Sequence, residues 1–480
     1  MQKIKAIILV GLNYGDEGKG SVTDSLVQHF KSDLVVRYNG GFQAAHNVHN
    51  ETGHHTFHQF GSGTLSGART YIGSEVIISP KLMMDEADSL YKLGVDKPLS
   101  LIHISPNCRI TTLYHIALNQ MRELARTNVH GSTGNGIGVT AELARQRSSW
   151  VLRVRDLSKH KSDVLQILNS IYEYCFLKCV ELQHDYKLES QAVEDLMLTF
   201  NIPQLNNQLY DIYLEWLNQV NVCHSLDIIK DSNLPIFEGA QGVLLDKLHG
   251  FHPYTTWSDT TPTYAMDMLY ILGIPIQNTY KLGITRTFMT RHGNGPLLTE
   301  TNDLNALIAH DHNKTGKFQG CLRVGNLDLM ALQYAIQKCG GLNGLAVTHC
   351  DYLSNREVRT VCWTYAGIDL LSYNCKEEAG LEAWNLTKAY SKNKALLYEV
   401  PDLLAEIQKV TKLPIVITSH SKFTKDKLYM GLEQNELPAT YTPVKTAVPI
   451  VEEVSNPEEI QIKQADTFQQ TEAAKPTTTN

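Results

Sequence analysis

The chain has 480 residues, 42% of them hydrophobic and 19% charged, with a formal net charge of -7. This composition describes a globular chain with material for a large core, and it excludes a broad basic field for nucleic acid or an anionic membrane. Any phosphate site must be local, and the nine cysteines, lacking a CxxC pair or metal-type spacing, read as reduced thiols.

"KAIILVGL" (5–12) is a short apolar run ended by glycine, too short for a membrane span, and it leads into a glycine-rich loop rather than a cleavage site. A cytoplasmic location is expected. "SVTDSLVQHF" then carries helical spacing at Val22, Leu26 and Phe30, and "DLVVRYN" enters a second glycine turn at Gly40 and Gly41. Strand, loop, helix, strand predicts an α/β fold: a mostly parallel central sheet with flanking helices, P-loop-like, with loops gathered at the strand ends. Further runs of strand type are "EVIIS", "LPIFEG", "TYKLGIT", "GLAVTHCD" and "LPIVITS". Between about Asp156 and Val222, "VLQILNSIYEYCFLKCVELQ" and "VEDLMLTF" predict a helical subregion within a domain covering 1–440. The segment 441–480, rich in Pro, Thr, Glu and Gln, predicts a disordered tail.

The loop "GLNYGDEGKGS" fails the Walker A pattern at both ends, with Asn13 at the first glycine position and Gly20 where Ser or Thr would follow the lysine. What remains is a glycine nest at a helix N-terminus, an anion site by its free amides and dipole, with Lys19 adding charge. Asp16 and Glu17 then stand where a phosphate would approach. A carboxylate there can ligate magnesium, act as a general base, or cap the helix.

Three later loops add polar groups. "NGGFQAAHNV" supplies Gln43 and His46; a lone histidine is more often structural than catalytic. "GSTGNGIG" offers Ser132, Thr133 and Asn135 among four glycines, suited to phosphate or ribose oxygens. "FEGAQGVLLD" places Gln241 just after a strand, where an amide can read a base edge.

Taken together and in this order, "GDEGKG", "NGGFQAAHNV", "FHQFGSGTL", "GSTGNGIG", "FEGAQGVLLD", "HPYTTWSDTT", "GITRTFMTRHGNGPLLTE" and "RVGNLD" resemble adenylosuccinate synthetase, from about Lys5 to Tyr352 and more faintly to Met430. The resemblance implies joining L-aspartate to C6 of IMP, with GTP phosphorylating the 6-oxygen first. On the matching positions, Asp16 would take the N1 proton and bind Mg2+. His46 would donate to the 6-oxygen and the transferring phosphoryl group, and Lys19 would offset its charge. Gln43, Thr133 and Thr256 would contact the IMP phosphate and Gln241 the hypoxanthine. Arg145, or Arg147, would reach the phosphate of a partner subunit, implying a homodimer. Glu17, Gly18, Gly20 and Asp351 fall on the GTP site, and Ala45 on a position that ligates Mg2+ through its carbonyl.

The sequence also departs from the family pattern. The tryptophan of the first loop is Tyr14, and Asn-Ala-Gly-His-Thr becomes Gln43-Ala44-Ala45-His46-Asn47. The aspartate loop keeps Lys317 and Arg323 as its only cations after Thr-Gly, and lysine lacks the bidentate fork of arginine. "THCD" keeps Asp351 but has His349 for lysine, and the later Ser-x-Gly-Pro turn reads "TSHSKFTKDK". ATP therefore stands beside GTP as a candidate donor. The other readings are dGMP as acceptor, against which the retained Asp16 counts, a non-catalytic nucleotide-binding paralogue, against which the intact Asp16 and His46 count, and a generic P-loop NTPase.

Overall fold

In the computed structural model, residues 4–126, 131–147, 150–308, 318–377 and 380–432 are described. The expected tail at 441–480 and the candidate Lys317 lie outside the described residues.

The fold is organised by a ten-stranded sheet. Its strands run, edge to edge, Asn221–Val222, Ile102–Ile104, Arg69–Ile72, Leu34–Arg37, Ile236–Glu238, Ala6–Gly11, Thr279–Arg286, Gly344–Thr348, Ile415–Ser419 and Lys427–Tyr429. Every neighbouring pair is parallel except the last, which is antiparallel. The central strands are buried on both faces, which is why they read as continuous apolar runs rather than alternating ones. Of the predicted runs, "EVIIS" departs most: only Ile77–Ile78 pairs, in a separate three-stranded sheet with Arg109–Ile110 and Leu152–Arg153. The strands Arg69–Ile72 and Ile102–Ile104, short and broken by polar residues, carried too little periodicity to be anticipated.

The helix Lys19–Phe30 follows the first strand and buries Val22, Leu26, Val27 and Phe30 against the sheet. A second sheet, of four strands, begins with Phe288–His292 and continues through Leu322–Asp328, Thr360–Tyr365 and Ala395–Glu399. The helical subregion is built on Lys161–Asp185, with Gln191–Leu198 and Leu205–Leu217. Val164, Leu168, Ile171, Cys175 and Cys179 form its buried stripe, at the spacing that returns a helix to one face every three or four residues. Burial of each of the three aliphatic side chains contributes about 1.5–3 kcal/mol. All nine cysteines are free thiols. No helix among the described residues is long and apolar enough to cross a membrane.

Candidate active site

The loop between the first strand and its helix is held by its own glutamate. Glu17 is fully buried, and its Oε1 accepts the backbone N–H groups of Asn13 at 3.0 Å and Gly15 at 2.9 Å. Its Oε2 takes the Lys19 ammonium at 2.5 Å. The backbone of Gly242 closes on this brace: a β-carbon there would stand 2.6 Å from Glu17 Oε1. Gly15, Asp16 and Gly18 all have positive φ, at 92°, 58° and 84°, so successive amides turn toward one concave face. The helix cap is Gly18, with no side-chain cap hydrogen bond. The capping alternative for Asp16 and Glu17 is thereby overturned, because Glu17 is spent inside the loop and Asp16 is drawn away from the helix.

What draws Asp16 is His292, whose Nε2 stands 2.8 Å from Asp16 Oδ2. Burial raises the carboxyl, but the His292 hydrogen bond and charge, with Arg286 and Lys19, outweigh it and hold Asp16 well below the usual carboxylate range. An ionised carboxylate in a left-handed backbone position, a conformation that costs ~1–3 kcal/mol, is characteristic of a functional site. Arg323 is engaged nearby, donating to Glu300 Oε2 at 2.5 Å and to the carbonyls of Gly293 and Gly295 at 3.0 and 2.8 Å.

His46 opens the hairpin strand His46–His49 beside the glycine loop, and its Nδ1 lies 2.7 Å from Oε1 of the buried Glu238. Glu238 also receives the Ser62 N–H at 3.0 Å and the Ser62 hydroxyl, and Arg37 stands 3.9 Å away. Burial raises this carboxyl, but His46, Arg37 and Ser62 bring it down to about 2. A carboxylate can only accept, so Nδ1 carries the proton and Nε2 is left for a ligand. Burial lowers His46 despite Glu238, with Arg37 and Lys19 adding to the effect, so the resting ring is neutral.

On the far side of Gly40 and Gly41 the two candidate amides converge. A β-carbon at Gly40 would lie 3.1 Å from Gln241 Oε1, and one at Gly41 2.9 Å from Gln43 Oε1. Both oxygens are buried without a hydrogen-bond partner. A cavity of about 200 Å3 beside them is lined by Gly40, Arg145, Lys247, Trp257 and Ser258. Arg145 lies 5.5 Å from the Trp257 ring centroid, whereas Arg147 lies over Trp150. The half-buried Thr256 neighbours this cavity, in a loop pinned by Asp246, which accepts the N–H groups of Leu248, His249 and Thr260. Thr133 is exposed, and its neighbour Ser132 shapes the turn by accepting from Asn119 and Gly134.

The strand Gly344–Thr348 delivers the remaining candidate loop. Thr348 donates to the Glu17 carbonyl at 2.9 Å, and His349 follows at φ 61°. Burial drives His349 well below the ordinary histidine value, so it supplies no positive charge at neutral pH. Asp351 is exposed. Among the described residues no group of three His, Cys, Asp or Glu could hold a metal. The ionised Asp16 nonetheless fits Mg2+, which is usually held by one or two carboxylates together with substrate phosphates.

Sequence reasoning missed Glu238, Ser62, His292 and Arg286. Glu238 had a signal, a carboxylate closing an otherwise apolar strand, since a buried charge demands a partner. His292 and Ser62 had none that a single sequence exposes.

A parallel sheet whose strand ends carry a glycine nest, an ionised aspartate and a carboxylate-oriented histidine defines an α/β nucleotide-handling enzyme. The family model described as adenylosuccinate synthetase matches residues 8–427, and the chain belongs to that family of carbon–nitrogen ligases. It is 34% identical to the adenylosuccinate synthetase of Pseudomonas fluorescens over 370 residues, 76% of this chain and 81% of the relative. Against that of Neisseria meningitidis it is 32% identical over 367 residues, 75% of this chain and 80% of the relative. Among solved structures, the fully ligated adenylosuccinate synthetase of Plasmodium falciparum superposes with a TM-score of 0.68 at 20% identity, covering 89% of this chain and all (100%) of the other. The cyanophage S-2L succinoaminodeoxyadenylate synthetase, bound to dGMP and dATP, gives 0.55 at 15% identity, covering 89% and 96%. At those identities the two structures speak for the fold.

Proposed function

We propose that the chain joins L-aspartate to C6 of IMP, with GTP as phosphoryl donor, to give adenylosuccinate, and that residues 1–440 form the synthetase unit. The observation that carries this reading is the pairing of an ionised Asp16, held by His292, with a His46 oriented by Glu238 beside one glycine nest. Asp16 takes the N1 proton of IMP and so makes the 6-oxygen a nucleophile toward the terminal phosphorus of the donor. His46, neutral at rest, takes a second proton from solvent at Nε2 as the anionic 6-oxygen and transferring group gather there, and the resulting imidazolium donates a hydrogen bond to them while Glu238 stabilises its charge. The aspartate amine then attacks C6: a C–N bond forms, the C6–O bond breaks, and inorganic phosphate departs.

In this reading the amides of Glu17, Gly18 and Gly20 and the Lys19 ammonium hold the donor phosphates, and Asp351 recognises guanine. Asp16 and the Ala45 carbonyl would hold Mg2+, which would supply neutralisation of phosphate charge. Gln43, Thr133, Thr256 and Arg145 hold the IMP phosphate, with Arg145 shared across a homodimer. Gln241 reads the hypoxanthine, and Lys317 with Arg323 takes the carboxylates of aspartate. A second reading, ATP as donor, is favoured by one observation: the residue before Cys350-Asp351 is a half-buried, neutral histidine rather than a cation.

The experiment that tests the intermediate uses GTP labelled in its bridging oxygen, with IMP and Mg2+ present and aspartate withheld. Scrambling of the label supports phosphoryl transfer before C–N bond formation; a static label, with adenylosuccinate formed on adding aspartate, sinks that order. Running GTP and ATP side by side decides the donor.

A further inference from the structure

Arg286 closes the strand Thr279–Arg286 at the carboxyl end of the central sheet, in register with Thr348 and beside the glycine loop. Its side chain is buried, with only 8% of the residue exposed, and its Nε has no hydrogen-bond partner. Its Cζ stands 5.6 Å from the Phe288 ring, and its charge acts on Asp16, Glu17, Tyr352 and His349. Among the described residues, however, no carboxylate comes within ion-pair distance of it. A guanidinium does not shed its proton in a protein, so this is a buried, charged and unmatched group.

The other buried cations of the region are matched. Arg291 donates to the carbonyls of Asn294, Pro296 and Tyr254 at 3.1, 3.0 and 3.2 Å. Arg37 donates to the Phe60 carbonyl at 3.2 Å and stands near Glu238, while Lys19 is paired with Glu17. Arg286 is therefore the exception in a region that otherwise satisfies its charges. The glycine loop also presents two carboxylates, Asp16 and Glu17, against one ammonium, Lys19, a poor balance for receiving a polyphosphate. A second cation from the adjoining strand corrects it.

We propose that Arg286 is a further donor-binding residue, its guanidinium taking an anionic oxygen of the terminal phosphates of the nucleoside triphosphate over the glycine loop. The assignment rests on the reading that the donor phosphates lie in that loop. Its position beside Thr348, His349 and Tyr352, on the side of the candidate donor turn, favours phosphate over the carboxylates of aspartate. Arginine suits the task because its fork matches phosphate geometry and, among the described residues, no carboxylate competes for it.

The test uses the full-length protein and the variants Arg286→Met and Arg286→Lys. Binding of Mg2+ with a non-hydrolysable GTP analogue, the corresponding ATP analogue and GDP is measured by calorimetry without IMP or aspartate, together with the melting temperature of each free protein. Arg286→Met should weaken the triphosphate analogue by about tenfold or more and GDP by less, and Arg286→Lys should recover part of the loss. Free Arg286→Met should melt no lower than wild type, because the substitution removes an unmatched buried charge.

Unchanged triphosphate affinity would overturn the assignment, as would an effect confined to the KM for aspartate, which would identify a carboxylate ligand. A lower melting temperature with every ligand weakened equally would indicate a structural role instead, and wild-type protein that binds neither triphosphate would also refute the proposal. If wild type binds the triphosphate but forms no adenylosuccinate, and Arg286→Met still loses the triphosphate, the ligase reading falls while the assignment of Arg286 stands.

Discussion

Gly20 and His46 meet with no room for a β-carbon between them: one built on Gly20 would stand 2.8 Å from the Cβ of His46 and 3.1 Å from Ser62 Oγ. This explains the failed Walker pattern. The place where a Ser or Thr would follow the lysine is occupied from outside by the hairpin that carries the histidine. Gly20→Ala should displace that hairpin, lowering kcat by about 10–100-fold and stability by about 1–3 kcal/mol. Steady-state kinetics with a thermal melt checks both; wild-type kcat in a well-folded variant would refute the packing argument.

Glu238 should matter to both chemistry and acid stability. Glu238→Gln keeps the shape but cannot stabilise an imidazolium, so kcat should fall by about a hundredfold with the KM for IMP little changed. The Glu238 carboxyl lies at about 2 in the folded protein against an ordinary 4.5. A depressed carboxyl contributes stability above its unfolded value and loses it as pH falls toward the folded one. Wild type should therefore lose stability between pH 4.5 and 2 more steeply than Glu238→Gln, which chemical denaturation across that window measures.

The hydrogen bond from His292 fixes the direction of the Asp16 carboxylate. His292→Gln, which keeps a donor, should stay near wild type, whereas His292→Ala should lose about tenfold in kcat through misplacement of the base. Equal activity in the two variants would show that the contact does not orient Asp16.

Asp16→Asn should abolish turnover while leaving IMP binding largely intact, because the amide keeps the shape of the carboxylate and the candidate IMP contacts Gln43, Gln241 and Arg145 come from other loops. Calorimetry with IMP, paired with the turnover assay, separates the two effects. Unchanged turnover would remove Asp16 from the role of base.

The central strands were legible because residues buried on both faces leave uninterrupted apolar runs, and each run of this kind ends in polar or glycine-rich sequence. Asp16, His46 and Gln241 could be singled out from those loops. Their orienting partners could not: His292 is 276 residues from Asp16 and Glu238 is 192 from His46, so the contacts exist only once the strand order is set. The strand Ile236–Glu238 lies between Leu34–Arg37 and Ala6–Gly11, a placement that no local pattern dictates and that puts Glu238 beneath the hairpin. The apolar run "EVIIS" illustrates the converse, since strand-like composition did not earn it a place in the central sheet.

The most direct test of the central claim is the ultraviolet absorbance change on mixing the protein with IMP, L-aspartate and Mg2+ and either GTP or ATP, repeated with dGMP in place of IMP. Adenylosuccinate is expected from IMP with GTP, and none from Asp16→Asn. Product from dGMP and none from IMP, or silence in all four mixtures by a folded protein, would contradict it.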